Sequence, residues 1–319
     1  MKSRKSDIFE TPRKGSDEAQ SNRGPGVLFV VSTPIGNLED ITLRALKVLG
    51  KVDIIAAENV GYTRGLCEHF GIKTRLTRYN QHNQRVKTPD LIRQLKSGRT
   101  LALVTDAGTP GISDPGIFLI HRAAEEGIIV TPVPGPSAVI AALSVSGFQT
   151  AKFVFIGFLP NRSGKRKRVL RELLSERRTA VFFEAPHRIK AALSEMQEIL
   201  GDRRLVLVRE MTKVFEEFLR GTAGDILSQL DPDGIKGEIS VVIQGAQGRE
   251  RSHLMDEKIE ARIKGLLANT ALSVKDIAAR IADEEDLAYR HVYKKCLVLM
   301  NESKKCEKGC NINGAKQEV

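Results

Sequence analysis

Residues 105–116 read Thr-Asp-Ala-Gly-Thr-Pro-Gly-Ile-Ser-Asp-Pro-Gly and come at the end of a short apolar run. Two further turns of this kind also follow apolar runs: residues 33–37 read Thr-Pro-Ile-Gly-Asn, and residues 132–138 read Pro-Val-Pro-Gly-Pro-Ser-Ala. Gly and Pro give such turns fixed or unusual dihedral angles and leave backbone N–H and C=O groups exposed. Turns at the ends of successive strands of one sheet meet at one crevice, so the sequence predicts a small-molecule site there.

The hydrophobic pattern of the first half predicts a three-layer α/β domain over residues 27–149. Short β-rich runs alternate with amphipathic stretches, which is typical of a mostly parallel sheet covered by helices. The predicted strands are residues 27–32, 52–57, 101–105 and 128–131. The predicted helices are residues 41–49, 63–70, 89–96, 116–126 and 136–146.

A second α/β domain is predicted over residues 150–248. Its strands are expected at residues 153–157, 179–184, 205–209, 214–219 and 238–244. Its helices are expected at residues 164–176, 187–200 and 223–230. Two strands follow each other without an intervening helix around residues 210–215, which predicts an antiparallel portion of the sheet.

The remaining sequence divides into a helical unit and two polar ends. The helical unit covers residues 252–300, where Ser273 is the predicted N-cap of one helix and a break at residues 283–286 precedes another. This pair of helices predicts a helix-turn-helix arrangement. Residues 1–26 are expected to form a disordered basic arm, and residues 301–319 a polar tail.

Composition indicates an anionic partner and no membrane segment. The 319 residues carry 50 Lys and Arg against 39 Asp and Glu, a net charge of +11, and nucleic acid is the simplest partner for such a chain. The long uncharged stretch at residues 127–151 is interrupted by prolines, so it reads as strand, turn and helix. The cysteine content and the absence of a signal-peptide pattern favour the cytoplasm. Cys306 and Cys310 lack a second ligand pair, so no metal is expected.

The three turns do not carry a nucleotide fingerprint. Neither Gly-x-Gly-x-x-Gly nor a P-loop pattern follows the first predicted strand. In order and spacing the turns instead resemble the tetrapyrrole methylase superfamily of S-adenosylmethionine-dependent methyltransferases, and within it the ribosomal RNA small subunit methyltransferase I branch. Residues 182–188, 209–213 and 236–238 match the same branch. The resemblance implies two α/β domains of the tetrapyrrole methylase type with the donor cleft between them, plus a small C-terminal helix-turn-helix-like unit.

The resemblance also implies that the turns bind S-adenosylmethionine as methyl donor. The implied contacts are Pro34, Ile35, Asp106, Gly108, Thr109, Pro110, Ile112, Ser113, Ser137 and Ala138. Asp106 and Asp114 flank the second turn and could bind the ribose or ammonium groups of the donor. Either could instead close an Asx turn onto its own backbone.

The acceptor chemistry calls for alignment and for a base. Methyl transfer is an in-line displacement at the sulfonium carbon, so most of the catalytic effect can come from placing the acceptor oxygen on the methyl–sulfur axis. A ribose hydroxyl is a poor nucleophile while protonated, so a base should help. Glu58, Glu184 and His187 lie in segments that match the family and are the candidates, among which the sequence does not choose. For His187, a helix-entry residue bonded to backbone is favoured over a base.

One segment departs from the branch pattern. Relatives have Glu-Asp-Thr-Arg after the second strand, whereas residues 58–61 here read Glu-Asn-Val-Gly. If the Asp and Arg of the relatives contact RNA or a partner subunit, that contact is displaced in this chain, with Arg64 as the nearest substitute.

A basic cluster follows the loop at residues 159–161 and is expected to bind RNA phosphates. Its members are Arg162, Lys165, Arg166, Lys167, Arg168 and Arg171. Positive side chains at the start of a helix oppose the helix dipole, which a bound anion would offset. The alternative is a solvated helix face.

The resemblance implies 2′-O-methylation of a decoding-centre cytidine in 16S ribosomal RNA, by a homodimer that acts on the small ribosomal subunit. Two alternatives stay open: methylation of a corrin or porphyrin precursor, and RNA binding by the same fold without catalysis. The surplus positive charge and the helical unit argue against the first. Retention of all three turns argues against the second.

Overall fold

The computed structural model describes residues 26–231, 235–246, 257–269, 272–285, 287 and 289–310. The predicted basic arm, apart from Gly26, and the last nine residues of the predicted polar tail lie outside these ranges. Residue contacts divide the chain into a compact unit that ends at Ala246 and a second unit that begins at Gln247. The first unit holds two sheets, which define an N-terminal lobe (residues 26–149) and a C-terminal lobe (residues 150–246).

The N-terminal lobe is built on a parallel sheet of five strands. The strands are β1 (Val27–Val31), β2 (Ile54–Ala57), β3 (Arg75–Arg78), β4 (Leu101–Val104) and β5 (Ile129–Val133), in the order β3-β2-β4-β1-β5. The helices are α1 (Leu43–Leu49), α2 (Val60–His69), α3 (Gln84–Lys96), α4 (Ile117–Glu125) and α5 (Ala138–Ser146). The residues of β2 and β4 are buried throughout, because helices cover both faces of the sheet.

The sheet order explains why the three turns meet. β1 lies between β4 and β5 and runs parallel to both. The turns at residues 33–37, 105–116 and 132–138 leave the carboxyl ends of these three adjacent strands, which is where open α/β sheets form ligand crevices. Thr33 and Gly108 exchange two backbone hydrogen bonds, at 2.9 and 3.1 Å, which fasten the first turn to the second.

The C-terminal lobe is a mixed sheet with the order β6-β7-β10-β8-β9. Its strands are β6 (Phe153–Phe158), β7 (Thr179–Glu184), β8 (Leu205–Arg209), β9 (Glu217–Gly221) and β10 (Ile239–Ile243). Its helices are α6 (Ser163–Glu172), α7 (Pro186–Leu200) and α8 (Ala223–Gln229). β6 and β7 are parallel, and the other pairs are antiparallel, so the predicted antiparallel portion is confirmed.

Two strand predictions differ from the structure. β3 was not predicted, because its sequence Arg-Leu-Thr-Arg has no apolar run; it is an edge strand, where charged residues are common. The strand predicted at residues 214–219 instead begins at Glu217, and Val214 lies in the preceding turn with 93% of its surface exposed. Val214 is therefore an apolar residue in an exposed turn and not part of a buried strand.

An apolar core joins the two lobes. Ile35, Val139 and Leu143 of the N-terminal lobe pack with Val206 and Val242 of the C-terminal lobe in one buried cluster. Gly36 approaches the other lobe so closely that an added Cβ would lie 2.5 Å from Lys213 Cγ and 2.6 Å from Thr212 Oγ1. A larger residue at position 36 would push the lobes apart, so the first turn needs this glycine for the close contact.

The helical unit contains α9 (Glu257–Asn269), α10 (Val274–Glu284) and α11 (Tyr289–Cys310). Ser273 caps α10 in a capping box with Asp276, as the sequence predicted. The core of the unit contains Ile263, Ile277, Ile281 and other apolar residues. The predicted α/β class with an added helical unit is confirmed. Residues 301–310, predicted as part of the polar tail, instead continue α11, because Glu and Lys are good helix formers. In the part of the chain that the structure describes, no helix is long and apolar enough to cross a membrane.

Candidate methyl-donor site

A cavity of about 470 Å³ opens between the two lobes, a size within the usual range for small-molecule sites. Its N-terminal wall is formed by the three turns with Glu58 and Val139, and its C-terminal wall by the ends of β6 and β7, the start of α7 and residues 237–240. Eight of the ten predicted donor contacts line it: Ile35, Asp106, Gly108, Thr109, Ile112, Ser113, Ser137 and Ala138. Pro34 and Pro110 do not line the cavity. Their rings belong to the turns that shape it.

Several residues of the cavity wall were not predicted from the sequence. Phe158, Phe183, Ala185, Pro186 and residues 237–240 come from the C-terminal lobe. The match of residues 182–188 and 236–238 to the family was the available signal, but which side chains would face the first lobe depends on how the two sheets pack.

Hydrogen bonds join the second turn to the end of the first strand and to the first turn. Both backbone groups of Gly108 are bonded to Thr33, and Thr109 Oγ1 lies 2.8 Å from Ser32 Oγ. Ser113 has a positive φ of 66°, a conformation that is uncommon for a residue with a side chain. The residue after it, Asp114, faces the cavity.

The cavity is acidic within a chain that is strongly basic overall. Its walls carry five carboxylates: Glu58, Asp106, Asp114, Glu184 and Glu238. Burial raises the pKa of Glu58 and that of Asp106 above their ordinary values. For Asp114, burial and the charges of Glu58, Asp106 and Glu238 raise the pKa to about 7. Such a cluster favours a bound cation, which would offset the mutual repulsion of the carboxylates.

The hydrogen bonds of Asp106 do not form an Asx turn. Its carboxylate accepts from the backbone N–H of Asn59, in a separate segment, and its own N–H donates to Glu58 Oε2 at 3.4 Å. Oδ1 of Asp106 is buried and has no hydrogen-bond partner among the described residues. The pKa of Asp114 is shifted by burial and by neighbouring charges, and no hydrogen bond from a described residue contributes to the shift. Both carboxylates therefore keep acceptor capacity for a ligand.

Glu184 is held by its neighbours in a nearly buried position. It is 2% exposed, and Oε1 accepts from Arg188 and from the N–H of Ala185, the latter at 2.7 Å. Oε2 is buried without a partner within the described part of the chain. His187, the third candidate base, is exposed on α7 and does not line the cavity. The prediction of His187 as base is therefore not supported by its position, because an acid–base residue must reach the reacting atoms.

The segment that departs from the branch pattern forms an ordinary helix start. Asn59 is the N-cap of α2, and its Oδ1 accepts from the N–H of Gly61 at 3.0 Å. Asn caps a helix about as well as Asp, so this substitution preserves the local fold. Arg64 is exposed on the same helix.

The predicted basic cluster separates into two groups. Arg166 is 5% exposed, and its guanidinium bonds Glu195 through two nitrogens at 2.7 and 2.9 Å. It therefore does not belong to an RNA-binding surface; it lies in the core because position 166 shares the buried face of α6 with Leu170. Lys167 is half-buried and lies 2.6 Å from Glu198. The exposed members are Arg162, Lys165, Arg168 and Arg171, and we call these four residues the basic face of α6.

Among the residues that the structure describes, no group of three or more His, Cys, Asp or Glu side chains could hold a metal ion. Cys306 and Cys310 fall in α11, but their side chains lie outside the description.

Comparisons with known proteins identify the family of this chain. The model of the family Tetrapyrrole (Corrin/Porphyrin) Methylases matches residues 27–227. A protein of Synechocystis sp. named ribosomal RNA small subunit methyltransferase I is 42% identical over 275 residues, which cover 86% of this chain and 98% of that protein. The protein of the same name from Thermotoga maritima is 46% identical over 222 residues, 70% of this chain and 100% of that protein.

Solved structures share the fold at low sequence identity. A cobalt precorrin-4 methyltransferase aligns with a TM-score of 0.53 at 17% identity, over 69% of this chain and 94% of that one. A diphthine synthase aligns with a TM-score of 0.51 at 16% identity, over 69% of this chain and 90% of that one. The family model and the sequence relatives establish that the chain belongs to the tetrapyrrole methylases and, within them, to the ribosomal RNA small subunit methyltransferase I family.

Proposed function

We propose that this protein transfers the methyl group of S-adenosylmethionine to the ribose 2′-hydroxyl of a decoding-centre cytidine in 16S ribosomal RNA. It is a methyltransferase by family, and its curated relatives are named for the ribosomal RNA of the small subunit. The observation that carries the proposal is an acidic cavity in a chain of net charge +11. The acidic cavity suits a cationic donor, and the positive net charge of the chain suits a polyanionic acceptor.

The cavity suits S-adenosylmethionine in charge and in wall chemistry. When bound, the donor supplies an electrophilic methyl group on a sulfonium centre. Asp106 and Glu58 offer carboxylate oxygens to its positive groups, and the free Oδ1 of Asp106 is an acceptor that needs a donor. Ile35, Ala138 and Phe183 provide apolar surface on the facing walls.

We assign the proton-accepting role to Asp114. A base works best when its pKa lies near the operating pH, and that of Asp114 is raised to about 7 by burial and by three neighbouring carboxylates. Glu58 remains the second candidate, since it lines the same cavity and its pKa is also raised. Glu184 is engaged with Arg188, which fixes its carboxylate in place.

The basic face of α6 is proposed to bind the phosphates of the acceptor RNA. Arg162 and Lys165 lie at the start of α6, a few residues after Phe158 at the cavity wall. Replacing Arg162 and Lys165 together with Glu should weaken RNA binding and reduce the slope of log K against log salt by about 0.7 for each phosphate that the protein no longer neutralises. Acidic residues favour a helix start, so the variant should remain folded. Donor affinity, measured by calorimetry, should not change.

The matched control is Arg44→Glu with Lys47→Glu on α1, which changes the net charge by the same amount at exposed positions elsewhere. Equal salt slopes in the two variants would mean that RNA responds to the overall charge, and the basic face would be only a solvated helix surface.

The helical unit is proposed to add substrate recognition. Lys275, Arg290 and Lys294 are exposed on it, and Tyr289 and Tyr293 stack with ring centroids 5.8 Å apart. Exposed aromatic rings such as Tyr289 beside positive charges are common in surfaces that bind single-stranded RNA. A cytoplasmic homodimer is likewise proposed from the family resemblance; the exposed Ile117 and Phe118 of α4 offer apolar surface for a second copy.

The acceptor is tested by labelled methyl transfer to three substrates side by side: naked 16S ribosomal RNA, small ribosomal subunits that lack the modification, and a porphyrin precursor. We expect label in RNA and none in the macrocycle. Label in the porphyrin alone would establish the small-molecule alternative. Donor binding without transfer to any of the three would favour the non-catalytic alternative.

A further inference from the structure

Phe158 is a large apolar side chain at an unusual place. It lines the cavity, yet 56% of its surface is exposed. Leaving an aromatic ring in water at the rim of a site forgoes the stabilisation that burial would give, so such a ring is a candidate contact for a ligand.

The local backbone places Phe158 at the rim. β6 runs in register with β7 up to Phe155, and the register shifts before Phe158 pairs with Phe183, which is an irregularity of the β-bulge type. Gly157 within this bulge has a φ of 75°, a conformation that residues with side chains rarely adopt. Bulges re-aim side chains and are frequent beside active sites. An added Cβ at Gly157 would lie 3.4 Å from Ser113 Oγ, so the bulge rests against the second turn.

Neighbouring rings hold Phe158 in place. Its ring packs edge-to-face on Phe183, with centroids 5.6 Å apart and an interplanar angle of 63°. Phe183 in turn packs on Phe155 at 5.1 Å. A ring fixed in this way loses little conformational entropy when a ligand stacks on it.

A hydrogen-bond acceptor lies beside this platform. Glu184 follows Phe183 in the chain and lines the same cavity; its Oε1 is engaged by Arg188 and by the N–H of Ala185, whereas its buried Oε2 has no partner among the described residues. A buried carboxylate oxygen without a partner calls for an N–H or O–H donor. The chain continues from Phe158 through a short loop into the positively charged start of α6.

We propose that Phe158 and Glu184 form the subsite for the nucleobase of the acceptor nucleotide. The base stacks on the Phe158 ring, its exocyclic amine donates to Glu184 Oε2, and its flanking phosphate meets Arg162. Single-stranded or flipped-out bases are read in this manner, by stacking and by hydrogen bonds to their edges. Cytosine carries an amine donor where uracil carries a carbonyl acceptor, so Glu184 would select cytidine over uridine. This inference rests on the proposed function.

The test uses the full-length protein and small ribosomal subunits that lack the modification. Phe158→Ala should lower kcat/KM for the subunits by roughly tenfold or more, the scale of removing one base–aromatic stack, while the Kd for S-adenosylmethionine stays within about twofold of wild type. Phe158→Tyr keeps the ring and should restore activity. Glu184→Gln should reduce the preference for the natural subunits over subunits whose target cytidine is replaced by uridine, because an amide can also donate.

Each outcome decides the assignment. If Phe158→Ala weakens donor binding tenfold, the ring belongs to the donor site and the proposed subsite is wrong. If kcat/KM for the subunits is unchanged in Phe158→Ala while the wild-type protein methylates them, the subsite fails and the proposed function stands. If the wild-type protein methylates no ribosomal RNA, the proposed function fails and the subsite fails with it.

Discussion

Replacing Asp114 with Asn should lower the rate of methyl transfer at pH 8 by a factor of about 100 or more, the range that a positioned base contributes. Asn keeps the size of the side chain and removes its ability to take a proton. Donor affinity should fall much less, because Glu58 and Asp106 remain in the cavity. Single-turnover transfer at saturating donor measures the chemical step separately from binding.

The pH dependence gives the same residue a second test. Wild-type activity should rise as the pH passes through about 7, where Asp114 loses its proton, and the variant should lose this rise. A folded-state pKa raised from 3.8 to about 7 means that the native protein holds this proton more tightly than the unfolded chain. The free energy of unfolding therefore falls as the pH rises from about 4 to about 7.

Asp114→Asn removes that loss of stability. The donor-free variant should melt at a higher temperature than wild type at pH 8, and the difference should shrink toward pH 4. Asp283→Asn, an exposed change on α10, is the control and should show neither effect. If Asp114→Asn retains the wild-type rate and pH profile, Asp114 is not the base, and Glu58 becomes the leading candidate.

The second large effect is expected for substitution of Arg166, which should lower the stability of the fold and not the affinity for RNA. Its guanidinium is enclosed by Glu195 and by the carbonyl oxygens of Pro160 and Asn161, each carbonyl 3.3 Å away. Arg166→Met leaves the carboxylate of Glu195 buried, and among the residues that the structure describes only Ser163 then remains as a side-chain hydrogen-bond partner, at 2.6 Å. Breaking a buried pair in this way costs about 3–5 kcal/mol, which urea unfolding would measure as a lower midpoint.

Matched variants separate this role from charge. Arg168→Met on the exposed side of the same helix should change the free energy of unfolding by less than about 0.5 kcal/mol. Arg166→Met combined with Glu195→Leu should recover much of the loss, because an apolar pair needs no counter-charge. If Arg166→Met leaves the free energy of unfolding unchanged and weakens RNA binding, the prediction is wrong and Arg166 belongs with the basic face of α6.

The sequence predicted the N-terminal wall of the cavity well, because each turn is a local signal. Gly and Pro at the ends of buried runs mark both the turn and the strand before it. β3 was missed because an edge strand carries charge where a central strand carries apolar residues. For Arg166 a signal existed: position 166 lies four residues before Leu170, on the apolar stripe of α6.

Two properties of the cavity could not be predicted in the same way. Phe158 reaches the rim because of a register shift in β6. The pKa of Asp114 is raised because the residue is buried and because Glu58 and Glu238, from two other segments, and Asp106, from the same turn, lie near it. Both properties depend on tertiary packing and not on the residues around each position in the sequence.

The atom that receives the methyl group distinguishes ribose methylation from base methylation. After transfer of labelled methyl to small ribosomal subunits, the 16S ribosomal RNA is hydrolysed with alkali, which cleaves next to a free 2′-hydroxyl but not next to a methylated one. We predict label in one alkali-resistant dinucleotide that yields 2′-O-methylcytidine on enzymatic digestion. Label in an alkali-labile, base-methylated nucleotide would contradict the account, because the proposed arrangement presents the ribose hydroxyl to Asp114 and the base to Phe158.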